Sequence, residues 1–198
     1  MLHERGVQGA FLTQAGAAMR HLADTLPASS FAMILGVDPL NEPYDGGLDG
    51  MSGSEWERQR LLPFYQRFRA EMDANGWAAR PAFVEPLVFW NTTFGEAGGF
   101  DTIPPLGPRY VFNAHYYDGA RMTLDPTPAG DGSYTAAMNR IRDRATALGT
   151  TGFVSEFGNA LSGTGSSSRT PRMIRAMYQG LDSRLPGATW WRDASTAG

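Results

Sequence analysis

The chain contains neither cysteine nor lysine. Without cysteine there is no disulfide, no thiolate metal site and no thiol nucleophile, and the composition suits a reducing or an oxidising compartment equally. All 17 basic residues are arginine. Schiff-base, pyridoxal-phosphate and Walker-type phosphate chemistry each need a lysine amine, so all three are excluded. Positive charge is also short. A formal net charge of -3 offers no basic field for nucleic acid. No run of about 18 apolar residues occurs, so no integral membrane span is expected. The opening Met1-Leu2-His3-Glu4-Arg5 lacks the apolar centre of a signal peptide. Histidine is scarce, and His3, His21 and His115 are too scattered for metal-ligand spacing. Neither a metal nor a cofactor is expected. The serine-rich stretch 162–168 holds neither Gly-x-Ser-x-Gly nor Gly-x-Gly-x-x-Gly and reads as a loop.

What is present is enough apolar material for one core: 198 residues, 42% hydrophobic, read as a single domain over 1–198. Amphipathic stretches predict helices over 4–26, 54–75, 133–148 and 170–184. In the second, Trp56, Leu61, Phe64, Tyr65, Phe68 and Met72 recur at three- and four-residue steps and make one apolar face. Ser54 is expected as its N-cap and Gly76 as its stop. Between the helices lie short, continuous apolar runs over 31–37, 82–90, 109–114, 151–155 and 187–191, the pattern of strands buried on both faces. Such alternation predicts parallel βα units. The Gly/Pro-rich stretches 91–108 and 126–132 predict long loops.

In βα architectures reactive groups collect where strands end. Asn41 and Glu42 follow the first run, His115 and Tyr117 follow the third, and Glu156 follows the fourth. All point to one rim. Two carboxyl groups flanking one bond are what glycoside hydrolysis needs, one protonated and one ionised. Burial at a strand end is a way to hold one of the pair neutral. Asn41 offers an amide to a sugar hydroxyl, His115 a ring nitrogen to another, and Tyr117 a hydroxyl to Glu156. Trp190 and Trp191 offer flat faces for a pyranose ring. A blander role stands beside each: Glu42 as a helix-start carboxylate after Pro39, His115 as a satisfied structural histidine, Trp191 as core filling. Asp38 reads as structural, holding the loop after its strand.

These motifs resemble a known family. Asn41-Glu42-Pro43, preceded by Gly36-Val37-Asp38, is similar to the acid/base strand of glycoside hydrolase family 5. His115-Tyr116-Tyr117 resembles its His-x-Tyr on the sixth barrel strand, and Ser155-Glu156-Phe157-Gly158 its nucleophile strand. Within the family, Leu62-Pro63-Phe64-Tyr65 and Phe83-Val84-Glu85-Pro86 look most like the endoglycoceramidase and glycosylceramidase branch.

The resemblance implies an α/β fold, a (β/α)8 barrel that is incomplete, with strands four to eight present and the beginning missing. A full barrel typically runs to about 250 residues. It implies retaining hydrolysis of β-glycosidic bonds, in a β-glucoside, a glycosylceramide or a β-glucan. Glu42 is then the acid/base and Glu156 the nucleophile. Asn41, His115, Tyr117, Trp191 and Glu85 contact substrate. The partner is a carbohydrate or glycolipid, and secretion is the family's habit. Two further expectations follow from the missing strands. A vestigial, non-catalytic sugar-binding fragment is the alternative function, and uncovered barrel edges favour self-association.

Overall fold

The computed structural model describes residues 5–47, 50–92, 95, 97–123, 129–158 and 169–190. Its centre is a parallel sheet in the order β1 (Ala82–Val84), β2 (Tyr110–Asn113), β3 (Thr151–Phe157), β4 (Ala188–Trp190). Phe83 pairs with Val111 and Phe112 with Gly152, and a register shift falls between Val154 and Phe157 on the way to β4. Parallel neighbours need long crossovers, and helices supply them. The helices are α1 (Arg5–Thr25), α2 (Ala28–Ala32), α3 (Gly53–Trp56), α4 (Leu62–Ala74), α5 (Gly119–Thr123), α6 (Thr135–Ala147) and α7 (Arg169–Asp182). A π turn over Glu57–Leu61 joins α3 to α4. The result is an arc of a (β/α)8 barrel.

The helix face read from the sequence packs as expected: Leu61, Phe64, Tyr65, Phe68 and Met72 are all buried against the sheet. The core continues through Leu87, Phe112 and Val154 to Met138, Ile141 and Met177 under α6 and α7. Gly76, at φ 88, follows the end of α4 in the left-handed conformation that glycine adopts without strain.

Three expectations need correction. The N-cap is Ser52, not Ser54: the Ser52 hydroxyl accepts the Glu55 N–H, and the Glu55 carboxylate accepts the Ser52 N–H. The second run stops as a strand at Val84, because Pro86 has no N–H to continue a ladder and Leu87–Trp90 turns instead, with the Trp90 N–H on the Leu87 carbonyl. The first run is not a strand at all. Phe31 and Ala32 belong to α2, where Phe31 packs edge-on against Trp77 and lies under the Arg80 guanidinium. Only Val37 pairs, through a single parallel bridge to Ala82. Met33 and Leu35 beside that bridge are 80% and 71% exposed.

Candidate active site

Each group at the rim is aimed by the backbone that precedes it. After the Val37 bridge the chain bends, and Glu42 takes φ 46, a left-handed conformation unusual for a residue with a Cβ. Its N–H donates to Glu85 Oε2 at 2.8 Å. The Val88 N–H on the Pro43 carbonyl, at 2.9 Å, ties this bend to the loop after β1. Glu85 itself is clamped by the buried Tyr65 hydroxyl, which accepts the Glu85 N–H and donates to the Glu85 carbonyl, both at 3.0 Å.

Beyond β2, the Ala114 N–H on Phe153 and the Tyr116 N–H on Glu156 carry the pairing with β3 past the strand's end. Asn113, His115 and Tyr117 alternate along this stretch and serve one face. Asn113 accepts the Ser155 N–H at 2.9 Å and donates to Asp38 Oδ2 at 2.7 Å and Ser155 Oγ at 2.6 Å. His115 Nδ1 lies 3.0 Å from Glu42 Oε1 and 3.6 Å from Glu156 Oε2. Its Nε2 lies 3.0 Å from Ser155 Oγ and 3.1 Å from Glu85 Oε1. Tyr117 donates its hydroxyl to Glu156 Oε2 at 2.9 Å.

An imidazole among three carboxyl groups is driven to keep both protons. Burial alone would lower the His115 pKa, but hydrogen bonds to Glu85 and Glu42 and the charges of Glu85 and Glu156 outweigh it and raise it to about 9. Asp38 rises to about 8, through the crowding protein around its carboxyl, the Glu85 charge and a hydrogen bond to Glu85. Tyr117 is pushed well above the usual tyrosine value by burial and by its bond to Glu156, so its hydroxyl stays a donor. Glu42, His115 and Glu156 are also close enough to surround a cation, with one ligating atom from each within 4.8 Å of the others. In this structure His115 Nδ1 bridges the two glutamates, at 3.0 Å from Glu42 and 3.6 Å from Glu156.

The structure therefore brings together five of the seven expected residues: Glu42, Glu156, His115, Tyr117 and Glu85. Asn41 is exposed beside Glu42 and takes no part in the hydrogen-bond cluster. Trp191 lies outside the described residues. Its neighbour Trp190 is 40% exposed and borders a groove of about 420 Å³ with Phe157 and Tyr178. Glu85 was expected to face substrate. It is 3% exposed instead, and its carboxylate is taken up by Glu42, His115 and Asp38 beneath the rim. Partial desolvation at the rim was expected, and the Glu42 and Glu156 side chains are 41% and 25% exposed. Sequence reading passed over Asn113 and Ser155 and gave Asp38 no part in the site. The strand alternation 113, 115, 117 was the signal that marks Asn113.

No protein-family profile and no curated protein matches the chain. Solved structures do. Endo-glycoceramidase II from Rhodococcus sp. superposes with a TM-score of 0.67 at 18% identity, over 95% of this chain and 41% of that one. Its lactosyl-enzyme intermediate gives 0.68 at 20% identity, over 95% and 40%. An endo-beta-1,4-glucanase from Xanthomonas axonopodis pv. citri gives 0.56 at 18% identity, over 93% and 55%. The likeness shows the fold, and this chain spans about two fifths to just over half the length of these enzymes.

Proposed function

We propose that the chain carries the two-glutamate centre of a retaining β-glycosidase, with Glu42 as acid/base and Glu156 as nucleophile. One observation supports this above all: an oxygen of Glu42 and an oxygen of Glu156 lie within 4.8 Å of each other, with His115 between them. Retaining enzymes hold their carboxyl groups about 5–5.5 Å apart, whereas inverting enzymes leave roughly 6.5–9.5 Å for a water. Two carboxyls whose nearest oxygens approach this closely can grip one glycosidic bond between them, and the retaining course is the one the family resemblance implies.

In this reading Glu42 donates its proton to the glycosidic oxygen as the C–O bond breaks, and Glu156 attacks the anomeric carbon to form a glycosyl ester. Glu42, now ionised, takes a proton from water, which displaces Glu156 and releases the sugar. Tyr117, held as a donor at 2.9 Å, orients the Glu156 carboxylate for attack. Asn41 and Trp191 are the proposed sugar contacts. The substrate is a β-glucoside, a glycosylceramide or a β-glucan. That range draws support from neighbours named for glycoceramide cleavage and for complexes with cellopentaose.

The test uses aryl β-glucosides, short cello-oligosaccharides and a fluorescent glucosylceramide with wild type, Glu42→Gln and Glu156→Gln. Turnover in wild type that disappears in both variants is expected. Turnover surviving both would overturn the assignment. Oligosaccharide binding by calorimetry without any turnover would favour the non-catalytic, sugar-binding alternative.

A further inference from the structure

Under the rim, Asp38 and Glu85 are hydrogen-bonding neighbours, and each is met by two further donors of different kinds. Glu85 accepts the Glu42 N–H at one oxygen and faces His115 Nε2 with the other. Asp38 accepts the Leu40 N–H at Oδ1, 3.2 Å away, and the Asn113 amide at Oδ2, 2.7 Å away. Two carboxyl groups joined by a hydrogen bond need a proton between them, since two carboxylates in contact repel. Each carboxyl accepts one backbone N–H, but the second donor to Glu85 is an imidazole with an ionic interest in its charge. Asp38 is met only by amides, so the proton belongs to Asp38.

We propose that Asp38 and Glu85 are a proton-sharing positioning pair: neutral Asp38 holds Glu85 ionised, and ionised Glu85 fixes both the Glu42 backbone and the charge on His115. No residue of the pair meets substrate. Their action passes through the 2.8 Å bond that secures Glu42 at φ 46 and through the 3.1 Å contact with His115. The raised Asp38 value of about 8 agrees with this distribution. The groups facing His115 are Glu42 and Ser155 together with Glu85 and Glu156. Tyr65 bonds the Glu85 backbone from α4.

The pair's effect on rate rests on the glycosidase reading, whereas its effect on His115 does not, so the decisive experiment follows the imidazole. The chain has only three histidines, and His115 is assigned by comparing labelled wild type with His115→Asn in NMR pH titrations. Wild type is expected to hold the His115 proton to about pH 9, with a second inflection near pH 8 as Asp38 ionises. Glu85→Gln should lower the His115 midpoint by at least a full pH unit. Asp38→Asn, which keeps a donor toward Glu85, should abolish the inflection and leave the midpoint within a few tenths. A His115 midpoint unmoved by Glu85→Gln, or moved as far by Asp38→Asn, overturns the proposal, as does an inflection that persists in Asp38→Asn. The His21 signal and circular dichroism report folding in each variant. Hydrolysis assays on the same proteins are separate: absent turnover with the expected titrations would sink the glycosidase reading and leave the pair standing.

Discussion

Two places in this molecule gather glutamate carboxyls, and they are built in opposite ways. Glu57, in the π turn, is fully buried and accepts three backbone N–H groups: Leu87 at 2.8 Å, Gly99 at 2.9 Å and Phe100 at 2.6 Å. Those donors hold the loop after β1 and the chain near 100 against α4. At the rim, Glu42 and Glu156 are partly exposed, and their partners are side chains that titrate or rotate, His115 and Tyr117. Fixed backbone dipoles around a sealed carboxyl make a fastener. Ionisable partners around a pair open to solvent make a place where protons can move. Burial alone does not mark a reactive group.

The contrast predicts effects of different kind, and the largest belongs to the rim. Glu42→Gln should lower kcat roughly 10²–10⁴-fold, the usual worth of a positioned acid or base. Glu156→Gln, which removes the attacking oxygen, should be at least as severe. Both side chains are solvent-accessible and sit outside the apolar core, so thermal melting should move by no more than a few degrees. A rim variant that loses activity only because it unfolds would break the distinction.

Glu57 should show up in stability instead, and in its pH dependence. Burial pushes its carboxyl from 4.5 to about 7, against the pull of its three N–H donors. The folded state therefore binds this proton more tightly than the unfolded chain. The contribution is fully present below about pH 4.5 and is lost as pH rises to about 7, a loss on the order of 3 kcal/mol. Glu57→Gln removes that slope. It also leaves an amide facing the Phe100 N–H, which costs about 1–3 kcal/mol. Urea melts of both proteins should show wild type ahead at pH 5, with the gap closing by pH 8. A gap constant across that range would refute the account of Glu57.

The same contrast explains which parts of the molecule could be read in advance. Parallel strands, their helical crossovers and the α4 face were legible because apolar periodicity is a local property of the chain. His115, Tyr117 and Glu156 could be placed on one rim because strand ends share it, and Glu42 reaches the same rim although the run before it makes only the single Val37 bridge. Glu57 was not legible, since the sequence pattern shows only a continuous amphipathic helix there, and its donors come from residues 30 to 43 positions away. Glu85 was legible as an important carboxyl but not as a buried one. Its neighbours Asp38, Tyr65 and His115 come from three separate segments, and no spacing rule connects them. The first apolar run failed as a strand because periodicity cannot weigh Phe31 against the Trp77 and Arg80 side chains that hold it in α2.

The smallest expected effect lies two residues before Glu57. Glu55 is exposed, and its carboxyl is held below its ordinary value by the Ser52 N–H and the Ser52 hydroxyl, the reverse of the direction at Glu57. A group lowered on folding contributes above its unfolded value and loses that contribution as pH falls. Ser52→Ala removes the hydroxyl that accepts the Glu55 N–H at 3.3 Å, a change worth about 0.5–2 kcal/mol at an N-cap. Denaturation at pH 7 should register the loss, and the same comparison at pH 3.5 should register less of it, because a protonated Glu55 no longer completes the reciprocal pair. Ser54→Ala, where no cap is removed, should cost less than Ser52→Ala at pH 7. If the two serines prove equal, the helix start has been placed wrongly, and Glu57 loses the frame that aims it at the Leu87, Gly99 and Phe100 amides.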